Sequence, residues 1–210
     1  MPNHKDARFW DRIAPKYARH TIKDMAGYER SLQRSAELIA GRDVLELGCG
    51  TGQTALRLAP AARQYLATDF AARMIALGQQ RLAETPVTNL SFQQVTAENL
   101  AEQNQTFDVI LGFNFLHLVR DLPATLTAIR HLLRDGGLLV TKTVCLHEMN
   151  PLIRLAVPVM RAVGLAPHVS TLSGAALEQA LIAQGFEILS VERHGTSGRD
   201  VRPFIVARKA

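Results

Sequence analysis

The chain has 210 residues, 47% apolar and 20% charged, which is enough for one buried core and excludes a disordered or fibrous chain. Its two cysteines, Cys49 and Cys145, are too few for a disulfide framework or a cysteine metal site, and no run of about 18 apolar residues offers a membrane span. The net charge of +5 does not by itself mark a nucleic-acid binder, because it is uneven: residues 1–42 hold nine basic and five acidic side chains, residues 43–143 eight and nine.

In chain order, the opening MPNHKDARFWDR is charged rather than apolar, so no secretory signal is expected and a cytoplasmic location is, with both thiols small, buried and reduced. Lys5, Arg8, Arg12, Lys16 and Arg19 recur at spacings of three and four, which lines one face of a helix beside Phe9, Ile13 and Tyr17. Pro15 removes a backbone donor and disfavours helix at Ala14, so a split or kink is expected there. The segments DVLEL, YLAT, LSFQQV, FDVILGF and GLLVTKTV read as strands, the last two nearly continuous in apolar residues as in strands covered on both faces. Between them TALRLA, AARMIALGQQRLAE and LPATLTAIRHLLR carry aliphatic residues at helical spacing; Asp121 and Pro123 start the last, and DGG at 135–137 is expected to stop it. A helix from Ser173 to Gln184 stopped by Gly185, then a strand and RPFIVARK as an edge hairpin, close the chain. This alternation predicts one α/β domain over 1–210: a doubly wound, Rossmann-like, mostly parallel seven-stranded sheet with an antiparallel C-terminal hairpin. Residues 1–42 form its helical cap, 43–143 the ligand-binding core, 144–172 a lid, and 173–210 the last helix and hairpin.

The stretch VLELGCGTG, Val44 to Gly52, sets an acid inside an apolar strand directly before Gly48, Gly50 and Gly52. Open parallel sheets bind ligands beyond the carboxyl ends of their strands, where strand order reverses, so this first turn decides the chemistry. Its glycines permit positive φ and remove Cβ atoms, letting a ligand lie against backbone. A dinucleotide fingerprint reads G-x-G-x-x-G and seats a pyrophosphate over the next helix. The spacing here is G-x-G-x-G, and Glu46 would repel a phosphate but form a charge-assisted hydrogen bond with an ammonium group. Asp69 ends the second strand, where an acid takes both hydroxyls of a ribose. Taken singly, the weaker readings are Glu46 as a cap of the next helix and Asp69 as a turn residue; the two acids together with the glycine spacing disfavour them. A ribose carrying an amino-acid-like cation describes S-adenosylmethionine, with S-adenosylhomocysteine as its product.

On these residues the chain resembles the class I S-adenosylmethionine-dependent methyltransferases of small-molecule type, over nearly its whole length. VLELGCGTG looks like the family's first motif, which implies cofactor contacts from Glu46, Gly48, Cys49, Gly50 and Gly52. ATDFAARMI is similar to the second, in which the acid binds ribose; this implies Asp69, with Phe70 and Met74 beside the adenine. VTAENL matches the third, where an aspartate before a small residue commonly binds the adenine amino group; here Thr96 takes the aspartate's place, Ala97 follows and Glu98 is near. FDVILGFNFLHLVRD resembles the fourth-strand segment, ending near the methyl group at Asn114, Phe115 and His117. FWDRIAPKYARH is similar to the N-terminal helix that covers the cofactor, whose tyrosine, here Tyr17, reaches the methionine carboxylate; Trp10 and Tyr17 suit core packing equally well. No metal is implied.

Methyl transfer from a sulfonium needs alignment, close approach and exclusion of water more than a covalent intermediate. Where the acceptor carries a proton a base must take it, and His117, with a pKa expected near neutrality, is the candidate; His147 and Glu148 follow the fifth strand as alternatives. The sequence lacks the Asn-Pro-Pro-aromatic motif of amide and adenine methyltransferases and a cysteine placed for cytosine chemistry. The segment MNPLIRLAVPVMRAVGLAP, apolar but broken by Pro151, Pro158 and Pro167, lies where such a family places a lid, so a small apolar or aromatic acceptor is expected, with Arg154 and Arg161 available to an anionic group; an ordinary amphipathic helix packed on the sheet edge suits the segment equally well. An RNA or protein acceptor, permitted by the basic N-terminus, and a nonenzymatic cofactor-binding relative are the alternatives.

Overall fold

The computed structural model describes residues 4–149, 160, 166–196 and 200–210. Five strands, β1 (Asp43–Leu47), β2 (Gln64–Asp69), β3 (Leu90–Gln94), β4 (Phe107–Phe113) and β5 (Leu133–Lys142), run parallel. The hairpin of β6 (Phe186–Glu192) and β7 (Phe204–Lys209) joins β5 antiparallel, giving the order β3-β2-β1-β4-β5-β7-β6. The expected fold class holds, with β7 inside the sheet and β6 at its edge. Strand order reverses between β1 and β4, so a crevice opens beyond their carboxyl ends.

Alternation along the strands explains the two helical layers. Leu45, Ile110, Leu139 and Ile205 pack with Leu100, Ile129 and Leu177 of helices α5 (Ala97–Ala101), α6 (Leu122–Leu132) and α7 (Gly174–Ala183). Val44, Val109, Val140 and Val206 face the other way, onto Leu32, Leu58 and Ile75 of α2 (Met25–Ile39), α3 (Gln53–Leu58) and α4 (Ala72–Glu84). Each such aliphatic side chain contributes about 1.5–3 kcal/mol on burial. Ser173 caps α7 by accepting from Ala176 N at 3.1 Å, and Gly185 follows with φ of 77°.

The structure departs from the sequence reading at three places. Helix α1 (His4–Ala18) runs unbroken through Pro15. Tertiary contacts overrule the missing donor: Ala14 is buried against Ala71 and Met74, Asp11 Oδ1 accepts from Arg73 N at 2.8 Å, and Arg81 donates to Ala18 O at 2.8 Å. Second, α6 stops at Leu132 and DGG lies within β5. Leu133 already pairs with Phe107, and the next pairing, Val109 with Leu138, leaves the intervening residues as a bulge with Gly136 at φ of 71°. Third, α5 carries too few residues for a periodic signal. Most of the expected lid, with Pro151, Arg154, Pro158 and Arg161, lies outside the described residues. Among the described residues no helix is long and apolar enough to cross a membrane.

Candidate active site

The glycine turn after β1 is built by its own hydrogen bonds. Cys49 N donates to Thr68 O at 2.9 Å, and Gly52 N to Cys49 O at 3.1 Å. Asp69, at the end of β2, accepts from Gly50 N at 3.0 Å on one oxygen and from Ala71 N at 2.9 Å on the other. The three glycines all have positive φ, and their neighbours differ. A Cβ on Gly48 would fall 2.7 Å from the Phe115 ring, and one on Gly52 2.5 Å from Phe92. At Gly50 a Cβ would meet only the Tyr17 ring, at 3.5 Å. Gly52 therefore serves the packing of Phe92, while Gly50 keeps open the floor of a cavity.

That cavity, of about 390 Å³, lies at the carboxyl ends of β1 to β5 and within the range of small-molecule sites. Leu47, Gly48 and Gly50 contribute from the glycine turn, and Thr68, Asp69, Phe70 and Met74 from β2 and α4. Thr96, Ala97 and Glu98 come from the start of α5, Asn114, Phe115 and His117 from beyond β4, and Trp10 and Tyr17 from α1. Of the residues expected to contact the cofactor, Glu46, Cys49 and Gly52 do not line it. Glu46 is 2% exposed, on the strand face turned toward α2, α3 and α4, where its Oε2 accepts from the Tyr65 hydroxyl at 2.8 Å. Cys49 is buried and its thiol pKa is raised by that burial.

Burial sets the electrostatics. It pushes the Asp69 carboxyl up to about 6, against the opposing pull of its backbone hydrogen bonds. It pushes Glu46 up to about 7, the Tyr65 hydrogen bond opposing and Asp69 adding. The Tyr17 phenol is raised first by partial loss of water, although 47% of the residue stays exposed, and then by the carboxylates of Asp69 and Glu46. Thr96 Oγ1 accepts from Asn99 N at 3.2 Å and so caps α5, and Glu98 Oε1 accepts from Thr125 Oγ1 at 2.7 Å. Asn114, at φ of 51°, donates its N–H to Lys142 O at 2.7 Å.

His117 differs from these neighbours. It sits on the 3-10 turn Leu116–Leu118, whose backbone is fixed where His117 O accepts from Ser170 N at 2.8 Å and Ser170 Oγ at 3.0 Å. Its ring is buried, and among the described residues Nδ1 has no hydrogen-bond partner. Burial lowers its pKa to about 4, so the expectation of a value near neutrality is corrected: no opposite charge compensates the loss of water. The imidazole is neutral at pH 7. His147 and Glu148 do not line the cavity; Glu148 Oε1 accepts from Gly174 N at 2.9 Å, at the start of α7.

Sequence reasoning missed Asp6, Arg120, Asp121, Thr125 and His168, all in the cavity wall. Arg120 donates to both oxygens of Asp6, at 2.7 and 3.0 Å, and ties α1 to the segment after His117. The two are 114 positions apart, and no local pattern marks such a pair. Among the described lining residues the carboxylates Asp6, Asp69, Glu98 and Asp121 outnumber the single guanidinium of Arg120, so the wall favours a ligand carrying positive charge over an anionic one. No group of three or more metal-ligating side chains occurs among the described residues. The assembly can hold a ligand with adjacent hydroxyls at Asp69 and present a neutral imidazole nitrogen to a second molecule.

The profile of the family described as "Methyltransferase domain" matches residues 11–191. The ubiquinone biosynthesis O-methyltransferase of Sinorhizobium fredii is 30% identical over 111 residues, 53% of this chain and 44% of that protein. The chain therefore spans less than half of that relative. The Sinorhizobium medicae protein of the same name is 27% identical over 190 residues, 84% of this chain and 76% of the relative. Among solved structures, magnesium protoporphyrin IX methyltransferase from Synechocystis with bound S-adenosylhomocysteine superimposes with a TM-score of 0.69 at 19% identity, covering 99% of this chain and 95% of that one, a likeness of fold.

Proposed function

The chain belongs to the class I S-adenosylmethionine-dependent methyltransferases, and from that membership we propose that it methylates a hydroxyl group on a small molecule with an uncharged, apolar body. The residues present fit the cofactor. Asp69 keeps acceptor capacity for the ribose hydroxyls after its backbone bonds are made, and Gly50 leaves bare backbone beside it. Phe70 and Met74 supply apolar surface for the base, with Thr96, Ala97 and Glu98 at its polar edge. Glu46 acts from behind the wall through its charge, while Asn114, Phe115 and Tyr17 complete the contacts toward the amino-acid end. The bound sulfonium supplies an already activated methyl group.

The observation that carries the reading of the acceptor is the unpartnered Nδ1 of His117 in the same cavity as the Asp69 cradle. A buried nitrogen without a partner costs about 1–3 kcal/mol, which an acceptor hydroxyl would recover by donating to it. In the tautomer protonated at Nε2, Nδ1 would orient that hydroxyl and receive its proton as the carbon–oxygen bond forms and the methyl–sulfur bond breaks, the sulfur leaving as the neutral thioether. An imidazole of such low basicity does not strip a ground-state alcohol; it takes the proton only once transfer has made the oxygen acidic. The carboxylate-rich wall disfavours an anionic acceptor, and the curated relatives are named as O-methyltransferases.

The test is transfer of labelled methyl from S-adenosylmethionine to a panel of apolar phenols and alcohols, amines, carboxylic acids, RNA and protein. Label on the hydroxyl compounds is expected. Label confined to amines, acids or macromolecules, or bound cofactor with no turnover on any of them, would overturn the proposal.

A further inference from the structure

Helix α1 has three faces, and the reaction uses two. Asp6, Trp10 and Tyr17 line the cavity, and Ala14 packs on α4. The third face carries Arg8, Arg12 and Lys16, with Arg19 in the turn just past the helix end, all exposed and three or four residues apart. Both acids of α1 point elsewhere, Asp6 to the Arg120 guanidinium and Asp11 to the Arg73 backbone N–H, so the outward face has one sign. Phe9 and Ile13, only part-buried, lie between that face and the cavity side, with the Arg12 guanidinium 5.4 Å from the Phe9 ring centre. Tyr17, 47% exposed, stands at the cavity rim.

We propose that this face of α1 docks the protein on a lipid surface bearing anionic headgroups, which sets the cavity rim beside the apolar phase from which an acceptor would come. Basic side chains next to a short apolar and aromatic edge on one helix are the pattern of a helix lying in a membrane interface. The aliphatic Ile13 beside Phe9 continues the edge as apolar surface that a lipid interface takes up, and binding to an RNA oligonucleotide is the contrary outcome that the test separates. The proposal rests on the small-molecule reading only for the purpose of docking. Binding is measured without turnover, so either reading can fail while the other stands.

The experiment is sedimentation of the whole protein with vesicles of phosphatidylcholine alone and of phosphatidylcholine mixed with phosphatidylglycerol, at low and moderate salt. Binding to the mixed vesicles only, weakened by salt, is expected. The combined variant R8E/R12E/K16E/R19E should bind them about tenfold or more weakly, while its affinity for S-adenosylhomocysteine stays unchanged and reports an intact fold. F9A/I13A should weaken binding without altering its salt dependence. Absence of binding to the mixed vesicles, equal binding by the charge-reversed variant, or tighter binding to an RNA oligonucleotide than to the vesicles would each overturn the proposal.

Discussion

The two sides of the cavity are made differently. On the glycine-turn side the polar groups are engaged with one another: Asp69 holds Gly50 and Ala71, Tyr65 holds Glu46, and Thr96 caps α5. On the His117 side the backbone is pinned by Ser170 while Nδ1 of the imidazole has no partner among the described residues. A ligand shared by a whole family can be met by a preorganised wall. A polar atom left unsatisfied in a buried wall has a use only when something else arrives to satisfy it.

The contrast breaks first at Asp69. Replacing it with Ala removes a charged acceptor from two backbone donors as well as from the ribose, so affinity for S-adenosylhomocysteine should fall by about a hundredfold or more in calorimetry. Retained affinity would mean that the carboxylate is only a turn residue. On the other side, H117A should lower turnover by about a hundredfold and leave cofactor affinity nearly unchanged, with H117Q, which keeps an acceptor atom, falling between. A loss of affinity matching the loss of rate would move His117 to the cofactor side.

Acid should act on the two sides with opposite sign. Asp69 and Glu46 have raised pKa values in the fold, about 6 and about 7, so between their ordinary values and these the native state binds more protons than the unfolded chain, and lowering pH through that window adds stability. His117 is lowered to about 4, so between about 6.5 and 4 the unfolded chain binds more protons, and lowering pH removes stability. Chemical denaturation across this range should show H117A losing less stability on acidification than the parent. Cofactor binding should follow the carboxylates, strengthening about tenfold as pH rises from about 5.5 to 8, with E46Q flattening the upper part of the rise. The smallest effect is expected of Y65F, which deprives Glu46 Oε2 of its donor. It should cost about 1 kcal/mol of stability and move the pH midpoint of cofactor binding upward.

The glycine-turn side was readable in the sequence because its signals are local. An acid within an apolar strand, glycines at alternate positions and a second acid ending the next strand all fall between residues 44 and 69. What was not readable depends on contacts across the chain. Asp6 and Arg120 meet only after folding, and the helix that continues through Pro15 has Ala14 and Asp11 packed and hydrogen-bonded to α4. The sequence also could not show that Glu46 turns away from the cavity or that Gly52 is a glycine for Phe92, since strand alternation and neighbouring side chains decide both. His117 was visible as a histidine in a suggestive place, but its depressed basicity comes from burial alone.

The central claim is that the cavity beside the glycine turn takes a sulfonium nucleoside rather than a dinucleotide. Isothermal titration of the unaltered protein with S-adenosylhomocysteine and, separately, with NAD addresses it directly. Saturable one-to-one binding of the first and no heat from the second is the predicted result. Saturable binding of NAD with none of S-adenosylhomocysteine would contradict it.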